Sequence, residues 1–252
     1  MDDLTKVVTE GTDITEGSSQ LDEFDAILKI SKENEEQPDS EQQEDLEAIE
    51  TAYEAFAAEC KAALRLTLDR IKNLSDAFDR SKRRNPFDRI ESRIKTFKSV
   101  RGKCEKRGIP FTSKGIREHI KDIAGIRIIT KYIDEIDCVK KLIEKLPGIN
   151  VVDIDDYVTK PKENGYSSMH LGCRVEIYDP FFGSRLIPVE IQLRTKAMNL
   201  WATLEHDLKY KNPNPSPGVY EKFCQISAFL RDVDRGAVEL RDYNEADSKK
   251  PK

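Results

Sequence analysis

The first strong pattern in the chain is a helical repeat of apolar positions across residues 41–80. Apolar side chains recur there every three or four residues, which predicts one long helix with a buried face. These positions are Leu46, Ile49, Tyr53, Phe56, Ala57, Cys60, Leu64, Leu68, Ile71 and Leu74. No proline or glycine interrupts the run, and Asn85-Pro86 stops it.

The pattern then changes to short apolar runs that alternate with helical segments. Strands are predicted at 87–95, 123–130, 150–158, 167–179 and 185–195, and helices at 96–107, 135–146, 196–211 and 220–243. About five strands interleaved with helices, between helical N- and C-terminal parts, predict an α/β (α+β) domain with a mixed sheet.

Composition divides the chain into an acidic leader and a basic body. Residues 1–50 hold 17 acidic and 3 basic side chains, whereas the whole chain has a net charge of −5. We expect residues 1–40 to be a disordered acidic extension in which only 21–30 could form a short helix. The folded domain is expected at 41–243, and 244–252 is a polar tail. A basic body suggests an anionic ligand such as phosphate, nucleotide or nucleic acid.

Several protein classes are disfavoured by the same sequence. Hydrophobic residues make up 38% of the chain, enough for a core, yet no run approaches the length of a membrane span. The first residues lack the pattern of a secretory signal, so we expect a cytoplasmic protein. Five scattered cysteines without a CxxC pair argue against a disulfide framework and against a zinc site.

A basic stripe follows the first predicted strand. Arg93 and Lys95 end that strand, and four more cations lie on the helix after it: Lys98, Lys103, Lys106 and Arg107. At about 100° per residue, the lysines from 95 to 106 fall within about 140° of one face. A bound polyphosphate would relieve their mutual repulsion, although a solvated basic face remains an alternative.

Two carboxylates stand out because they adjoin buried strands. Asp122 precedes the strand IAGIRII, and Glu190 lies inside the apolar run IPVEIQL. Such carboxylates fit a Mg²⁺ site completed by phosphate oxygens. In the alternative, Glu190 forms a structural ion pair with Arg127 or Arg194. Gln192 and Arg194 share the strand face of Glu190, which favours a functional site.

The loop from Lys160 to His170 carries a third set of polar groups. Pro161 and Gly165 fix a turn there. The turn leaves four functional side chains, Lys162, Asn164, Tyr166 and His170. A tyrosine on a rigid loop can stack on a purine base, although an ordinary turn with an exposed tyrosine is equally open.

These segments together resemble a known family. HIKDIAGIRIIT (119–130), YVTKPKENGYSSMH (157–170) and VEIQLRTKAMNLWATLEHDLKYK (189–211) are similar to the RelA/SpoT-type alarmone synthetase domain. The resemblance covers most of the folded body and implies a nucleotidyltransferase-like fold. It also implies Mg²⁺-dependent transfer of pyrophosphate from ATP to the 3′-hydroxyl of GTP or GDP, which yields pppGpp or ppGpp and AMP.

The resemblance further implies roles for individual residues. Asp122 and Glu190 would be catalytic and would hold Mg²⁺. The ATP side would comprise Arg93, Lys95, Lys103, Lys106 and Arg127. The GTP or GDP side would comprise Lys162, Asn164, Tyr166, His170, Gln192 and Asn199.

Other family properties are expected to be absent or stay open. The only His-Asp pair, His206-Asp207, lies inside the third motif, so we expect no alarmone hydrolase site. Some relatives are homotetramers, but Arg89 and Ile90 stand where an aromatic of their regulatory cleft is expected. A toxin-type relative that pyrophosphorylates the 3′ end of tRNA and a non-catalytic nucleotide-binding module are the alternative functions. Neither membrane nor DNA is an expected partner.

Overall fold

A computed structural model describes residues 45–180, 183–211 and 216–248. The chain divides into the units Met1–Gln43 and Glu44–Lys252, and all elements below belong to the second. The predicted acidic extension, with its short helix at 21–30, lies outside the described residues. Within them, no helix is long and apolar enough to cross a membrane.

Eleven elements make up the described part of the chain. They are α1 (Leu46–Arg80), β1 (Phe87–Ile94), α2 (Phe97–Arg107), α3 (Ser113–His119), β2 (Ala124–Thr130), α4 (Glu135–Ile143), β3 (Ile149–Asp156), β4 (Met169–Asp179), β5 (Gly183–Thr195), α5 (Lys196–Lys211) and α6 (Pro217–Asp247). Every element predicted for these residues is present, within a few residues of its expected limits.

Helix α3 is the one described element that the sequence pattern did not predict. Its seven residues carry no apolar repeat, but Thr112 caps it by accepting a hydrogen bond from the Gly115 amide at 3.0 Å. A Cβ atom at Gly115 would lie 2.2 Å from the Pro110 carbonyl oxygen. The glycine is therefore required for this close approach, and it does not interrupt the helix.

The five strands form one sheet in the order β1-β2-β5-β4-β3. Only β2 and β5 pair in parallel, and the other three pairs are antiparallel, which confirms the predicted mixed sheet. The pairing places Glu190 of β5 between Gly125 of β2 and Gly172 of β4. Gln192 likewise lies between Arg127 and His170.

One face of the sheet is apolar and packs against α1. The helix contributes buried side chains such as Phe56, Cys60 and Ile71, and the strands contribute Leu171 and Ile191 at alternate positions. Because side chains alternate between the two faces of a strand, the residues between these core positions face the opposite side. That second face is polar, and it carries the candidate site.

Candidate nucleotide site

Two adjoining cavities lie on the polar face of the sheet. The larger, of about 610 Å³, is lined by Lys103, Asp122, His170 and Glu190 among others. The smaller, of about 250 Å³, is lined by Arg93, Asp122, Arg127, Glu190 and Gln192. Asp122 and Glu190 line both cavities, so the fold brings the two predicted carboxylates together although 67 residues separate them in the chain.

Asp122 is held by two lysines of the predicted basic stripe. Its Oδ2 lies 2.5 Å from Lys95 Nζ and its Oδ1 lies 2.7 Å from Lys103 Nζ. Burial raises the pKa of Asp122, but the hydrogen bonds from Lys103 and Lys95 outweigh it and leave the pKa below its ordinary value. Asp122 is therefore ionised at neutral pH and compensated by both cations.

The local fold explains why these two lysines converge. The Lys95 amide donates to the Ile123 carbonyl at 2.8 Å, which fixes the end of β1 beside Asp122. Helix α2 begins two residues later, with Thr96 as its cap, and carries Lys103 on its second turn. Lys106 and Lys98 of the same stripe are exposed and lie outside the residues that line the two cavities.

Glu190 has a histidine and a glutamine as partners. His170 Nδ1 lies 3.3 Å from Oε1, and Gln192 Nε2 donates to Oε2 at 2.7 Å. Burial raises the pKa of Glu190, but these contacts outweigh it and leave the pKa lowered. The alternative pairing of Glu190 with Arg127 or Arg194 is therefore wrong.

Arg194 completes a closed ring of hydrogen bonds with Glu190. Its Nη2 donates to Gln192 Oε1 at 3.1 Å and to the Tyr166 hydroxyl at 2.7 Å, and that hydroxyl lies 2.7 Å from His170 Nε2. Because arginine only donates, the Tyr166 proton is free to point at Nε2, which leaves Nδ1 to carry the ring proton towards Glu190. The ring thus orients four of the predicted site residues.

Arg127 is a partly buried cation on the other side of Glu190. Its Nη1 lies 3.4 Å from Glu91 Oε2, and its buried Nε has no hydrogen-bond partner among the described residues. Burial lowers its pKa, and so does the positive charge of Arg194 and Arg93. An anion placed here would satisfy both the charge and the free donor.

The loop between β3 and β4 is closed by its own hydrogen bonds. The Lys162 amide donates to the Tyr166 carbonyl at 3.0 Å, and the Gly165 amide donates to the Lys162 carbonyl at 2.8 Å. Asn164 accepts from the Tyr166 amide at 3.1 Å and donates to Glu205 of α5 at 3.3 Å. Both polar ends of Asn164 thus brace the loop in this structure.

Tyr166 lies among rings and cations. It packs edge-on against Tyr157, His170 and Trp201, with ring centroids about 6 Å apart. The Lys162 ammonium and the Arg194 guanidinium each lie 5.2 Å from the centre of its ring. Asn199, on the first turn of α5, has a buried Oδ1 without a hydrogen-bond partner among the described residues.

Sequence reasoning missed several residues of the site. It gave Arg194 no defined role, and it passed over Tyr157 and Arg174, of which Arg174 lines the larger cavity. The period-2 alternation of β4 carries the signal for Arg174, since positions 170, 172 and 174 share one face. Tyr157 had no comparable signal, because only the folded loop brings its ring to Tyr166.

Comparisons with known proteins show which family the chain resembles. The family described as "Region found in RelA / SpoT proteins" matches residues 92–215. The GTP pyrophosphokinase YjbM of Bacillus subtilis is 34% identical over 161 residues, which cover 63% of this chain and 74% of YjbM. The GTP pyrophosphokinase YwaC of the same species is 38% identical over 135 residues, or 53% of this chain. The match spans 63% of YwaC, less than two thirds of its length.

Solved structures give the same result. Small alarmone synthetase 1 of Bacillus subtilis bound to its product pppGpp superposes with a TM-score of 0.70 at 30% identity, covering 76% of this chain and 97% of that chain. The same enzyme bound to AMPCPP gives a TM-score of 0.64 at 26% identity, covering 77% and 98%. The chain thus has the fold of the small alarmone synthetases. The chain belongs to the RelA/SpoT family.

Proposed function

We propose that this chain transfers the β,γ-pyrophosphate of ATP to the 3′-hydroxyl of GTP or GDP, forming pppGpp or ppGpp and AMP. The observation that carries the proposal is the convergence of Asp122 and Glu190 on two shared cavities. Cations border these carboxylates on the β1–β2 side. The closed ring of hydrogen bonds that includes Tyr166 and His170 borders them on the β4–β5 side. The relatives named GTP pyrophosphokinase, and a neighbour that binds pppGpp, support the same reaction.

The cationic side suits the phosphate chain of ATP. Pyrophosphoryl transfer depends mainly on positioning and on neutralising phosphate charge. Arg93, Lys103 and Arg127 line the cavities, and Lys95 adjoins them through its ion pair with Asp122. Phosphate oxygens could replace the carboxylates that Lys95, Lys103 and Arg127 contact in this structure. Lys106, by its exposure, would act at the rim.

The carboxylates fit a magnesium ion that is completed by substrate phosphate. Mg²⁺ in such sites takes one or two protein carboxylates together with phosphate oxygens and water. Asp122 and Glu190 supply that donor set, whereas no group of three or more His, Cys, Asp or Glu side chains in the described part of the chain could hold a metal alone. When bound, Mg²⁺ supplies charge neutralisation at the phosphate oxygens.

The ring side suits the acceptor nucleoside. Glu190 has a lowered pKa and is therefore ionised, so it can accept the 3′-hydroxyl proton as the bond to the β-phosphorus forms. We assign the face of Tyr166 to the guanine, and Lys162 and His170 to the acceptor's phosphates and neighbouring groups. Asn164, Gln192 and Asn199 complete the polar lining that we assign to this nucleotide.

A transfer assay tests the proposal. The full chain is incubated with ATP labelled at the γ-phosphate and with GTP, GDP or tRNA, with and without Mg²⁺. We expect label in pppGpp or ppGpp, AMP in equal amount, and no product when Mg²⁺ is chelated. Label only on tRNA would favour the toxin-type reaction, and nucleotide binding without any product would favour the non-catalytic module.

Two further arms test the remaining expectations. Incubation with labelled pppGpp alone should give no release of pyrophosphate if the chain lacks hydrolase activity. A chain without residues 1–40 tests the hypothesis that this acidic segment competes with nucleotide for the cations of the site. Tighter ATP binding by the shortened chain is expected, and equal affinity would contradict the competition.

A further inference from the structure

Helix α6 lies behind the loop that carries Lys162, Asn164 and Tyr166. The helix falls outside residues 92–215, which the family match covers. The Ser227 hydroxyl of α6 donates to the Gly165 carbonyl at 2.6 Å, and the Cys224 thiol donates to the Glu163 carbonyl at 3.3 Å. Two side chains of α6 thereby donate to two alternate carbonyl groups of the loop, those of Glu163 and Gly165.

Gly165 is adapted to this contact. Its φ is +87°, a left-handed conformation that glycine adopts without strain. A Cβ atom at this position would lie 2.6 Å from Ser227 Cβ, closer than real atoms approach. The loop can turn here because residue 165 has no side chain. The turn brings the Gly165 carbonyl within hydrogen-bond distance of the Ser227 hydroxyl.

Both packing and hydrogen bonds join the loop to the helix. Tyr166 contacts Trp201, and Trp201 contacts Phe223 of α6. A cavity of about 380 Å³ lies beside these contacts, lined by residues that include Pro161, Lys162, Gly165, Cys224 and Arg231. Ser227 is only 4% exposed, so loss of its hydroxyl would leave the Gly165 carbonyl without a donor.

Arg231 sets the direction of the Ser227 hydroxyl. Its Nη1 donates to Ser227 Oγ at 3.1 Å, one turn further along α6. Because Oγ accepts this bond, its single proton is directed to the Gly165 carbonyl. The serine is thus aligned as a donor to the loop before any nucleotide binds.

We propose that Ser227 is a positioning residue for the acceptor nucleotide. Its hydrogen bond fixes Gly165, and through the closed turn it fixes Lys162 and Tyr166 at the site. The inference rests on the proposed function in taking this loop as the acceptor side. It assigns to α6, which lies outside the family match, an effect on the binding of GTP or GDP but not of ATP.

The test is Ser227→Ala in the full chain, with KM measured separately for GTP and for ATP. We expect the KM for GTP to rise about tenfold, because one buried hydrogen bond to the loop is lost. The KM for ATP and the kcat at saturating GTP should change less than about twofold. A merely structural role would affect both nucleotides equally, and that result, or no change at all, would overturn the proposal.

Two variants serve as comparisons. Ser248→Ala makes the same replacement at the exposed end of α6, and it should change neither KM. Cys224→Ala removes the weaker thiol donor, and it should raise the KM for GTP alone by about twofold to threefold. An increase that is equal for the two substrates in Cys224→Ala would count against selective positioning by α6.

Calorimetric binding of GTP separates this inference from the proposed function. If the wild-type protein binds GTP about tenfold more tightly than Ser227→Ala but forms no product, the reaction is refuted and the positioning role is supported. If both proteins bind GTP equally while the wild-type protein forms pppGpp, the positioning role is refuted and the reaction stands. Binding of AMPCPP by Ser227→Ala at wild-type affinity shows that the variant is folded.

Discussion

The β1–β2 side of the site is held by ion pairs, whereas the β4–β5 side is held by a ring of hydrogen bonds. On the first side Lys95 and Lys103 neutralise Asp122, and Glu91 contacts Arg127. On the second side Arg194 links Gln192 and Tyr166, and the ring closes through His170 and Glu190. The two sides meet at the shared carboxylates.

The difference concerns how each side is prepared for its ligand. Coulombic attraction has little directional preference, so phosphate oxygens can replace a carboxylate as partners of the same lysines. Hydrogen bonds fix both distance and direction, so the ring sets the Tyr166 and His170 side chains before a nucleotide arrives. The cations of the β1–β2 side can therefore exchange their partners, and we call it the exchangeable side. The β4–β5 side is fixed before a nucleotide binds, and we call it the preformed side.

The largest effect is expected where the two sides meet. Asp122→Asn and Glu190→Gln should each lower turnover by about a hundredfold to a thousandfold, because each removes a charge from the reacting centre. Steady-state assays of AMP release measure the effect. Asp153→Asn is the matched control, since Asp153 lines the same larger cavity from β3 but has no assigned role. Unchanged turnover in both site variants would show that the site assignment is wrong.

The preformed side is tested by Arg194, which is 5% exposed. Arg194→Ala removes its hydrogen bonds to Tyr166 and Gln192, so kcat/KM for GTP should fall about a hundredfold. Arg194→Lys should recover only part of this, since an ammonium cannot reproduce the two directed bonds of a guanidinium. Kinetics at saturating ATP with varied GTP measure both variants. If Arg194→Ala raised only the KM for ATP, the β4–β5 side would not be specific to the acceptor nucleotide.

The core and most elements could be predicted from the sequence because apolar residues recur at the spacing of the buried face of each helix or strand. The alternation in β4 and β5 and the helical repeat in α1 reflect the same apolar face of the sheet. Helix α3 could not be predicted in this way, since it is short and its glycine is retained for a backbone contact. Local capping by Thr112 was the only signal, and it is weak without a repeat.

The site could be predicted in its residues but not in their pairing. Asp122 and Glu190 are recognisable as isolated carboxylates, yet their partners come from other elements. The angular position of Lys106 on α2 resembles that of Lys103, but an angle gives no position along the helix axis. Lys106 lies about 4.5 Å further along that axis, at about 1.5 Å per residue, which takes it away from Asp122. The hydrogen-bond ring depends on strand register, which a single sequence does not give.

The exchangeable side is tested by these same two lysines. Lys103→Gln should raise the KM for ATP about tenfold, because it removes one charged contact to phosphate. The KM for GTP should stay near the wild-type value. Lys106→Gln, the matched control on the next turn, should have a smaller effect on the KM for ATP because its side chain is exposed. Equal effects of the two variants would place Lys106 in the site as fully as Lys103.

The smallest effect concerns the attachment of α6 behind the preformed side. The Thr195 hydroxyl at the end of β5 donates to Asp234 of α6 at 2.7 Å. Burial raises the pKa of Asp234 above its ordinary value of 3.8, and the Thr195 hydrogen bond offsets only part of that rise. The folded chain therefore binds this proton more tightly than the unfolded chain. Ionisation of Asp234 removes stability as the pH rises from 3.8 through the raised pKa.

Asp234→Asn keeps an oxygen that can accept from Thr195 and removes the buried charge. At pH 7 its Tm should exceed that of the wild-type protein by about 2–4 °C, and the difference should narrow as the pH is lowered towards 4. Thermal denaturation across this pH range measures it. Asp232→Asn, an exposed change on the same helix, should show no such pH dependence. If Asp234→Asn had a lower Tm than the wild-type protein at every pH, the charge of the carboxylate would stabilise the attachment of α6. The β4–β5 side would then resemble the β1–β2 side, which is held by ion pairs.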